Sequence, residues 1–258
     1  MSDHEIPVED DEPNGVFLDD ADGDYDDEDY EDDAPIELTF LNGPALLPAS
    51  GGRAKQLVVL LHGLGADGND LISLGPQIAK VLPDAAIISP NAPEPCDMSP
   101  MGYQWFSLQD RSHDAMLAGV ENAAPKLNGF LDEVLDYLDL TEEDLFLIGF
   151  SQGTMMGLHV GVRRETPLAG IIGFSGALVG GDRLPDEIVT TPPVVLIHGD
   201  ADEVVPFQAM QMAADALKTA GVEAEAIRRP GLGHGIDPQG MLVALRFLND
   251  HKRFIDDD

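Results

Sequence analysis

The stretch DLFLIGFSQGTMMGLHVGVRR, residues 144–164, decides the fold class of this chain. Residues 144–150 form a largely apolar run typical of a buried strand, and residues 151–164 have the pattern of a helix. Between them, GFSQG at 149–153 matches G-x-S-x-G, in which a serine occupies a sharp turn from strand to helix. The glycines are expected there because a side chain at either position would collide with the neighbouring strand or helix. Ser151 is therefore a predicted nucleophile at the positive end of a helix, and the simpler alternative is a serine that caps an ordinary helix.

The rest of the chain repeats this alternation of strand and helix. Short apolar runs separated by segments with helical spacing are typical of a mostly parallel sheet with helices on both faces. The predicted strands are 36–43, 56–63, 85–90, 144–150, 169–176, 193–199 and, at an edge, 223–230. The predicted helices are 68–81, 113–138 with a break or second start at Pro125, 151–164, 207–220 and 239–254. No linker divides this region, so residues 36–258 are predicted to form one α/β domain.

The first 35 residues differ from the rest in composition. They hold 17 Asp and Glu and no Lys or Arg. A segment with dense like charge and few large apolar residues cannot offset its ordering entropy, so residues 1–35 are predicted to be a disordered acidic tail. A calcium loop over residues 18–29 is disfavoured, because its first position is Leu18 and its twelfth is Asp29 rather than Glu.

The overall charge limits the partners and the location of the protein. The formal net charge is −34, and such a surface repels phosphate backbones and anionic lipid, so no nucleic-acid partner is expected. No apolar run approaches the ~18 residues of a membrane span, and the acidic start MSDHEIPVED lacks the apolar core of a signal peptide. A cytoplasmic protein without stable membrane insertion is therefore expected. Cys96 is the single cysteine, so an intrachain disulfide is excluded.

A serine nucleophile requires two partners later in the chain. It needs a general base within hydrogen-bond reach, and the base needs a carboxylate that orients it. In this kind of fold the partners follow in the order Asp or Glu, then His, each on a loop after a later strand. The loop after the strand 193–199 supplies three candidate acids, Asp200, Asp202 and Glu203.

Seven histidines compete for the role of the base. His234 lies in a late loop between Gly233 and Gly235, and these glycines are expected to let the ring approach the serine closely. His62 and His198 each end a strand before a glycine, which suits a structural hydrogen bond to a loop carbonyl. The remaining histidines lie in the acidic tail or in helical patterns, at His4, His113, His159 and His251.

The stretch LVVLLHGLGADGND, residues 57–70, has two interpretations. Its glycines spell G-x-G-x-x-G after an apolar run, which is the dinucleotide-binding fingerprint. That fingerprint requires an acidic residue about 20 positions further on, at the end of the second strand. Here Asp84 precedes that strand and Glu94 lies beyond two prolines. An oxidoreductase is therefore disfavoured, and the backbone after His62 is instead a candidate half of an oxyanion hole. No cofactor or metal is expected.

Four motifs together resemble the phospholipase/carboxylesterase family of α/β-hydrolases, which includes acyl-protein thioesterases and small bacterial carboxylesterases. The motifs are LHGLGADGND, GFSQG, HGDADEVVP and GLGHGI, and the resemblance covers roughly residues 55–250. It implies an α/β-hydrolase fold without a large lid domain, and it selects Asp202 as the acid of the triad. It also places the oxyanion donors on the backbone N–H groups of Leu64 and Gln152. One departure is Thr154, where members of the family often have a glycine.

The resemblance implies a serine carboxylesterase for short to medium acyl chains that acts through an acyl-enzyme. Alternatives with the same triad are an acyl-protein thioesterase and a lysophospholipase, and a third is a non-catalytic protein that binds a small ligand. The W-F segment of the family corresponds to Trp105 and Phe106, which are expected to line the acyl pocket. Met155 and Val204 are further candidates for its wall. The expected partner is a small ester or thioester, with a homodimer as a possibility by analogy.

Overall fold

A computed structural model describes residues 38–253. The predicted acidic tail, residues 1–35, and the disfavoured calcium loop lie outside the described residues. Within residues 38–253, no helix is long and apolar enough to cross a membrane.

A seven-stranded sheet forms the centre of the molecule, in the order β1-β3-β2-β6-β7-β8-β9. Only β1 runs antiparallel to its neighbour, and the other six strands are parallel. A separate two-stranded hairpin, β4 and β5, lies in the loop after β3. The strands are β1 Ala45–Leu46, β2 Gln56–Leu61, β3 Ala85–Ile88, β4 Glu94–Pro95, β5 Tyr103–Gln104, β6 Leu145–Phe150, β7 Gly170–Phe174, β8 Val194–Gly199 and β9 Ala224–Arg229.

Helices cover both faces of the sheet. They are α1 Gly68–Ile72, α2 Gly75–Ile78, α3 His113–Leu138, α4 Gln152–Gly161, α5 Leu184–Glu187, α6 Gln208–Thr219 and α7 Pro238–His251. Alternate residues of a strand point to opposite faces, so Leu57, Val59 and Leu61 join a core with α3, α4 and α6. Val58 and Leu60 join a second core with α1, α2 and α7. The predicted α/β-hydrolase architecture is confirmed, and no inserted lid domain interrupts residues 38–253.

Three predicted elements are wrong in detail. The strand predicted at 36–43 is absent over its described part. There the Thr39 N–H donates to the Glu133 carboxylate at 2.8 Å instead of to a neighbouring strand. The helix predicted at 68–81 is split in two, since the second piece begins at Gly75 and Pro76, its second residue, supplies no N–H to continue the first. Pro125 neither breaks nor restarts α3, which runs unbroken from 113 to 138 with the proline on its exposed face.

The parallel arrangement determines where a site can form. The loops that follow β2, β6, β8 and β9 all leave the sheet at its carboxyl edge, where parallel α/β sheets bind their ligands. The loops carrying the His-Gly pair, Ser151, the candidate acids and His234 therefore converge on one side of the molecule.

Candidate active site

The turn between β6 and α4, residues 149–153, holds Ser151 in an unusual backbone conformation, and we call it the nucleophile elbow. Ser151 has φ 54° and ψ −113°, and its N–H donates to the Phe174 carbonyl at 2.9 Å. A non-glycine residue at such dihedrals costs of order 1–3 kcal/mol and persists only where its surroundings enforce it. The serine thus stands at the N-terminus of a fully buried helix, in the strained turn that G-x-S-x-G predicts.

The two glycines of the nucleophile elbow have no room for a side chain. A Cβ on Gly149 would overlap the backbone of α4 at Gly153 and Thr154. A Cβ on Gly153 would overlap the carbonyl of Leu61 at the end of β2. Both positions therefore require glycine, because the atoms that a Cβ would meet belong to the backbone and cannot move aside as the end of a side chain could.

The loop after β2 passes directly beside Ser151. A Cβ placed on Gly63 would lie 3.4 Å from Ser151 Cβ. Among residues 38–253, neither the Leu64 N–H nor the Gln152 N–H has an acceptor within the chain. Both N–H groups are therefore without an internal partner in this part of the chain, as donors of the predicted oxyanion hole would have to be.

The side chain of His62 holds the start of the loop after β2 by two hydrogen bonds. Its Nε2 accepts from the Ala92 N–H at 2.9 Å, so its Nδ1 carries the proton and donates to the Gly63 carbonyl at 2.7 Å. Burial lowers the pKa of His62, although the hydrogen bond to Gly63 and the nearby carboxylates of Asp67 and Asp70 oppose the shift. The predicted structural hydrogen bond to a loop carbonyl is confirmed for this residue.

The side chain of Gln152 joins the nucleophile elbow to the W-F segment. Its Oε1 accepts from the Trp105 N–H at 3.0 Å, and its Nε2 donates to the Phe106 carbonyl at 2.6 Å. The Trp105 indole N–H donates in turn to the His62 carbonyl at 3.0 Å. No pattern in the sequence indicates this role of the Gln152 side chain, because its partners lie almost 50 residues away along the chain.

The candidate acid Asp202 is fully enclosed. Its Oδ2 lies 2.8 Å from His234 Nδ1, and its Oδ1 accepts from the N–H groups of Val204 and Val205, both at 2.9 Å. His198 Nε2 lies 3.2 Å from the same Oδ2 and donates to the Val205 carbonyl at 2.9 Å, which confirms the structural role predicted for His198. Burial alone raises the pKa of Asp202, but the hydrogen bonds from His234, Val205 and Val204 outweigh it and hold the pKa below its usual range.

The loop after β9, residues 230–237, carries His234, and we call it the histidine loop. With Nδ1 directed at Asp202, Nε2 is the nitrogen left for the serine. The His234 ring packs on Phe150, the neighbour of Ser151, with 4.8 Å between ring centroids. No hydrogen bond joins His234 to Ser151 within the described part of the chain, and such contacts are often long in enzymes without substrate.

The glycines beside His234 do not have the role predicted for them. A Cβ on Gly235 would meet no atom within 4 Å, and one on Gly233 would meet only the Ala201 carbonyl, at 3.9 Å. The expectation that they permit close approach of the ring is therefore wrong, because this side of the loop is open.

Two ion pairs hold the histidine loop at its base. Asp200 accepts from the Gly231 N–H and from Arg228 Nε, both at 2.6 Å. Arg229 donates to both oxygens of Asp237, at 2.8 Å from its Nη2 and 3.0 Å from its Nε. Asp200, one of three acids that the sequence left open, thus lies against the base of this loop rather than against His234. The third candidate, Glu203, is exposed.

The residues predicted to bind substrate lie in different surroundings. Trp105 and Phe106 form one wall of a groove of about 300 Å³, opposite the first half of α3. Met155 is buried one turn into α4, and Val204 is 55% exposed beside Asp202. Among residues 38–253, no three His, Cys, Asp or Glu side chains form a group that could hold a metal ion.

A family model and several known proteins match this chain. The family model described as Phospholipase/Carboxylesterase matches residues 44–252. The chain is similar to the esterase YpfH of Escherichia coli strain K12, at 33% identity over 78% of this chain and 83% of that protein. It is also similar to acyl-protein thioesterase 1 of Neurospora crassa, at 30% identity over 74% of this chain and 84% of that protein.

Solved structures are similar over the same region. The crystal structure of esterase PE8 has a TM-score of 0.79 and 44% identity, covering 82% of this chain and 99% of that chain. The structure of Zea mays acyl-protein thioesterase 2 has a TM-score of 0.65 and 27% identity, covering 80% and 97% of the two chains.

Proposed function

The chain belongs to the phospholipase/carboxylesterase family and is a carboxylic ester hydrolase, and we propose that Ser151, His234 and Asp202 carry its chemistry. One observation supports this proposal above all others. A strained serine at a strand-to-helix elbow and a histidine fixed 2.8 Å from a buried aspartate both lie at the carboxyl edge of one sheet.

The proposed reaction follows from the positions of these groups. Ser151 Oγ attacks the carbonyl carbon of the ester while His234 Nε2 accepts the hydroxyl proton. Asp202 holds the ring in the correct tautomer and stabilises the imidazolium that forms. The N–H groups of Leu64 and Gln152 bind the developing oxyanion, each contributing about 3 kcal/mol. His234 then protonates the leaving alcohol and activates a water molecule that releases the acyl group from Ser151.

We propose small esters with short to medium acyl chains as substrates. No inserted domain covers the nucleophile elbow within residues 38–253, and the long loop at the carboxyl edge, between β3 and α3, folds into the β4–β5 hairpin. Val204, next to the acid, is more than half exposed. Without a covering domain, a short acyl chain should obtain most of the contacts that a long chain would obtain.

A second candidate is the hydrolysis of thioesters or lysophospholipids by the same triad. The relatives named acyl-protein thioesterase favour the thioester version. The two substrate classes require the same nucleophile, base and acid, so the length of the acyl site and the leaving group must distinguish them.

A panel of p-nitrophenyl esters and acyl thioesters of increasing chain length tests both candidates. A value of kcat/KM that falls steeply beyond about six carbons supports the small-ester assignment, and rising values with long thioesters support the second. Ser151→Ala is expected to lower kcat by about 10⁶.

The control is Ser50→Ala, an exposed serine before β2 at the opposite edge of the sheet, which is expected to leave kcat unchanged. Retention of more than about a tenth of the activity by Ser151→Ala would contradict the triad.

A further inference from the structure

Thr154 occupies the position where the sequence departs from the family pattern, and it lies within the machinery of the nucleophile elbow. Its side chain is almost completely buried, in the first turn of α4. Its hydroxyl lies 2.8 Å from the Gly149 carbonyl and 2.9 Å from the Phe174 carbonyl and donates its single proton to this pair. The two carbonyls belong to the ends of neighbouring strands, β6 and β7, so one hydroxyl links the helix to both.

The same Phe174 carbonyl accepts the N–H of Ser151. Thr154 and the nucleophile therefore share an acceptor, and Thr154 also contacts the glycine that begins the nucleophile elbow. A serine at φ 54° keeps its conformation only because its neighbours enforce it. The Thr154 hydroxyl is one of the few polar contacts available to do so, since the two glycines of the elbow offer no side chains.

The surroundings of Thr154 are shaped to receive its methyl group. A Cβ on Gly173 or on Gly176 would collide with the Thr154 side chain. Both positions lie on or just after β7, the strand that supplies the Phe174 carbonyl. The absence of side chains at Gly173 and Gly176 thus leaves the space that the Thr154 side chain fills. The threonine that departs from the family pattern is therefore accommodated by glycines on and just after β7.

We propose that Thr154 is a positioning residue, whose hydroxyl fixes the orientation of Ser151 by holding the nucleophile elbow to the ends of β6 and β7. This inference rests on the proposed function of Ser151 as the nucleophile. Loss of the hydroxyl releases the turn that aims Ser151 Oγ, and small errors in that aim are costly for attack on a carbonyl. The acyl site is left in place, so the effect falls on kcat rather than on KM.

Two matched pairs of variants isolate the hydroxyl. Wild type and Thr154→Val differ by a hydroxyl in place of a methyl group, and Thr154→Ser and Thr154→Ala differ by the hydroxyl alone. In each pair the member without a hydroxyl is expected to react with a fluorophosphonate probe about tenfold more slowly and to lose the same factor in kcat. KM is expected to stay within about twofold, and the melting temperature reports packing separately.

Equal labelling rates within both pairs, with differences only in melting temperature, would overturn the proposal and leave Thr154 a packing residue. If Thr154→Val does not fold, the pair Thr154→Ser and Thr154→Ala decides the matter alone. A wild type that the probe does not label at Ser151 would instead reject the proposed nucleophile, so the two failures are distinguishable.

Discussion

The nucleophile elbow and the histidine loop both lie at the carboxyl edge of the sheet, but they are held in place in different ways. The elbow is enclosed by backbone, and every residue of α4 behind it is buried. The histidine loop is half-buried, its glycines face open space, and its ends are tied by arginine–aspartate pairs.

This difference indicates which perturbations each half of the site should tolerate. Steric enclosure does not respond to salt, but it fails when a single methyl group is added. Exposed ion pairs tolerate small changes of shape, but they weaken as ionic strength rises. The nucleophile is thus expected to be sensitive to volume, and the base to be sensitive to charge.

After Ser151→Ala, the largest effect is expected at Asp202. Asp202→Asn keeps the shape of the acid but favours the wrong tautomer of His234, so kcat should fall by about 10⁴. Steady-state kinetics measure this loss, and Glu203→Gln, the exposed neighbour, is the matched control with unchanged kcat. Equal losses in the two variants would show that the charge of the segment matters rather than the contact with His234.

A glycine in each region tests the contrast directly. Gly153→Ala places a methyl group against the Leu61 carbonyl, so the nucleophile elbow must shift and kcat should fall by about 10² or more. Gly235→Ala meets no atom within 4 Å and should leave kcat within about twofold. Comparable losses of kcat in the two variants, at equal content of folded protein by circular dichroism, would break the comparison.

The sequence predicted the elements that local pattern determines. Runs such as 56–61 and 145–150 are apolar because both faces of those strands are covered, and the nucleophile elbow was identifiable because backbone contact there allows only glycine. The sequence could not place the links made by Gln152, Thr154 and Asp200. Each bonds to partners brought close by the folded sheet, and no spacing along the chain signals such a contact.

A smaller effect is expected where the histidine loop depends on charge. Asp200→Ala removes the acceptor of the Gly231 N–H and the partner of Arg228, a side chain that is 64% exposed. We expect kcat/KM to fall about threefold to tenfold at low salt. The gap between variant and wild type should narrow toward molar salt, where the Debye length is about 3 Å and the exposed pair is screened in the wild type.

The control for Asp200→Ala is Glu143→Ala, which breaks the exposed pair with Arg253 before β6, away from the histidine loop. It is expected to leave kcat/KM unchanged at every salt concentration. A deficit in Asp200→Ala that persists undiminished at high salt would assign the effect to the Gly231 hydrogen bond instead of the ion pair.

The smallest effect concerns stability in acid and lies in the helix behind the nucleophile elbow. Burial lowers the pKa of His159 to about 4, helped by Arg163. The unfolded chain binds a proton at this residue below pH 6.5 and the folded chain only near pH 4. The free energy of unfolding should therefore decrease as the pH is lowered through this window, by about 2–3 kcal/mol in all for this group.

Urea unfolding of wild type and His159→Gln between pH 7 and pH 4.5 measures the His159 effect. The variant should show the shallower dependence on pH, whatever its stability at pH 7. Parallel curves would assign the acid sensitivity to other groups.

The hydrogen bond from His62 to the Gly63 carbonyl also determines the direction of the next backbone N–H, that of Leu64. A peptide unit is planar and trans, so its C=O and its N–H point in opposite directions. By holding the C=O of the unit that joins Gly63 to Leu64, the His62 ring fixes the direction of the Leu64 N–H. Hydrogen bonding at one end of a peptide also polarises the other end, which makes that N–H a better donor. His62 thus acts as a fixed dipole behind the N–H that we propose as an oxyanion donor, and burial lowers the pKa of its ring.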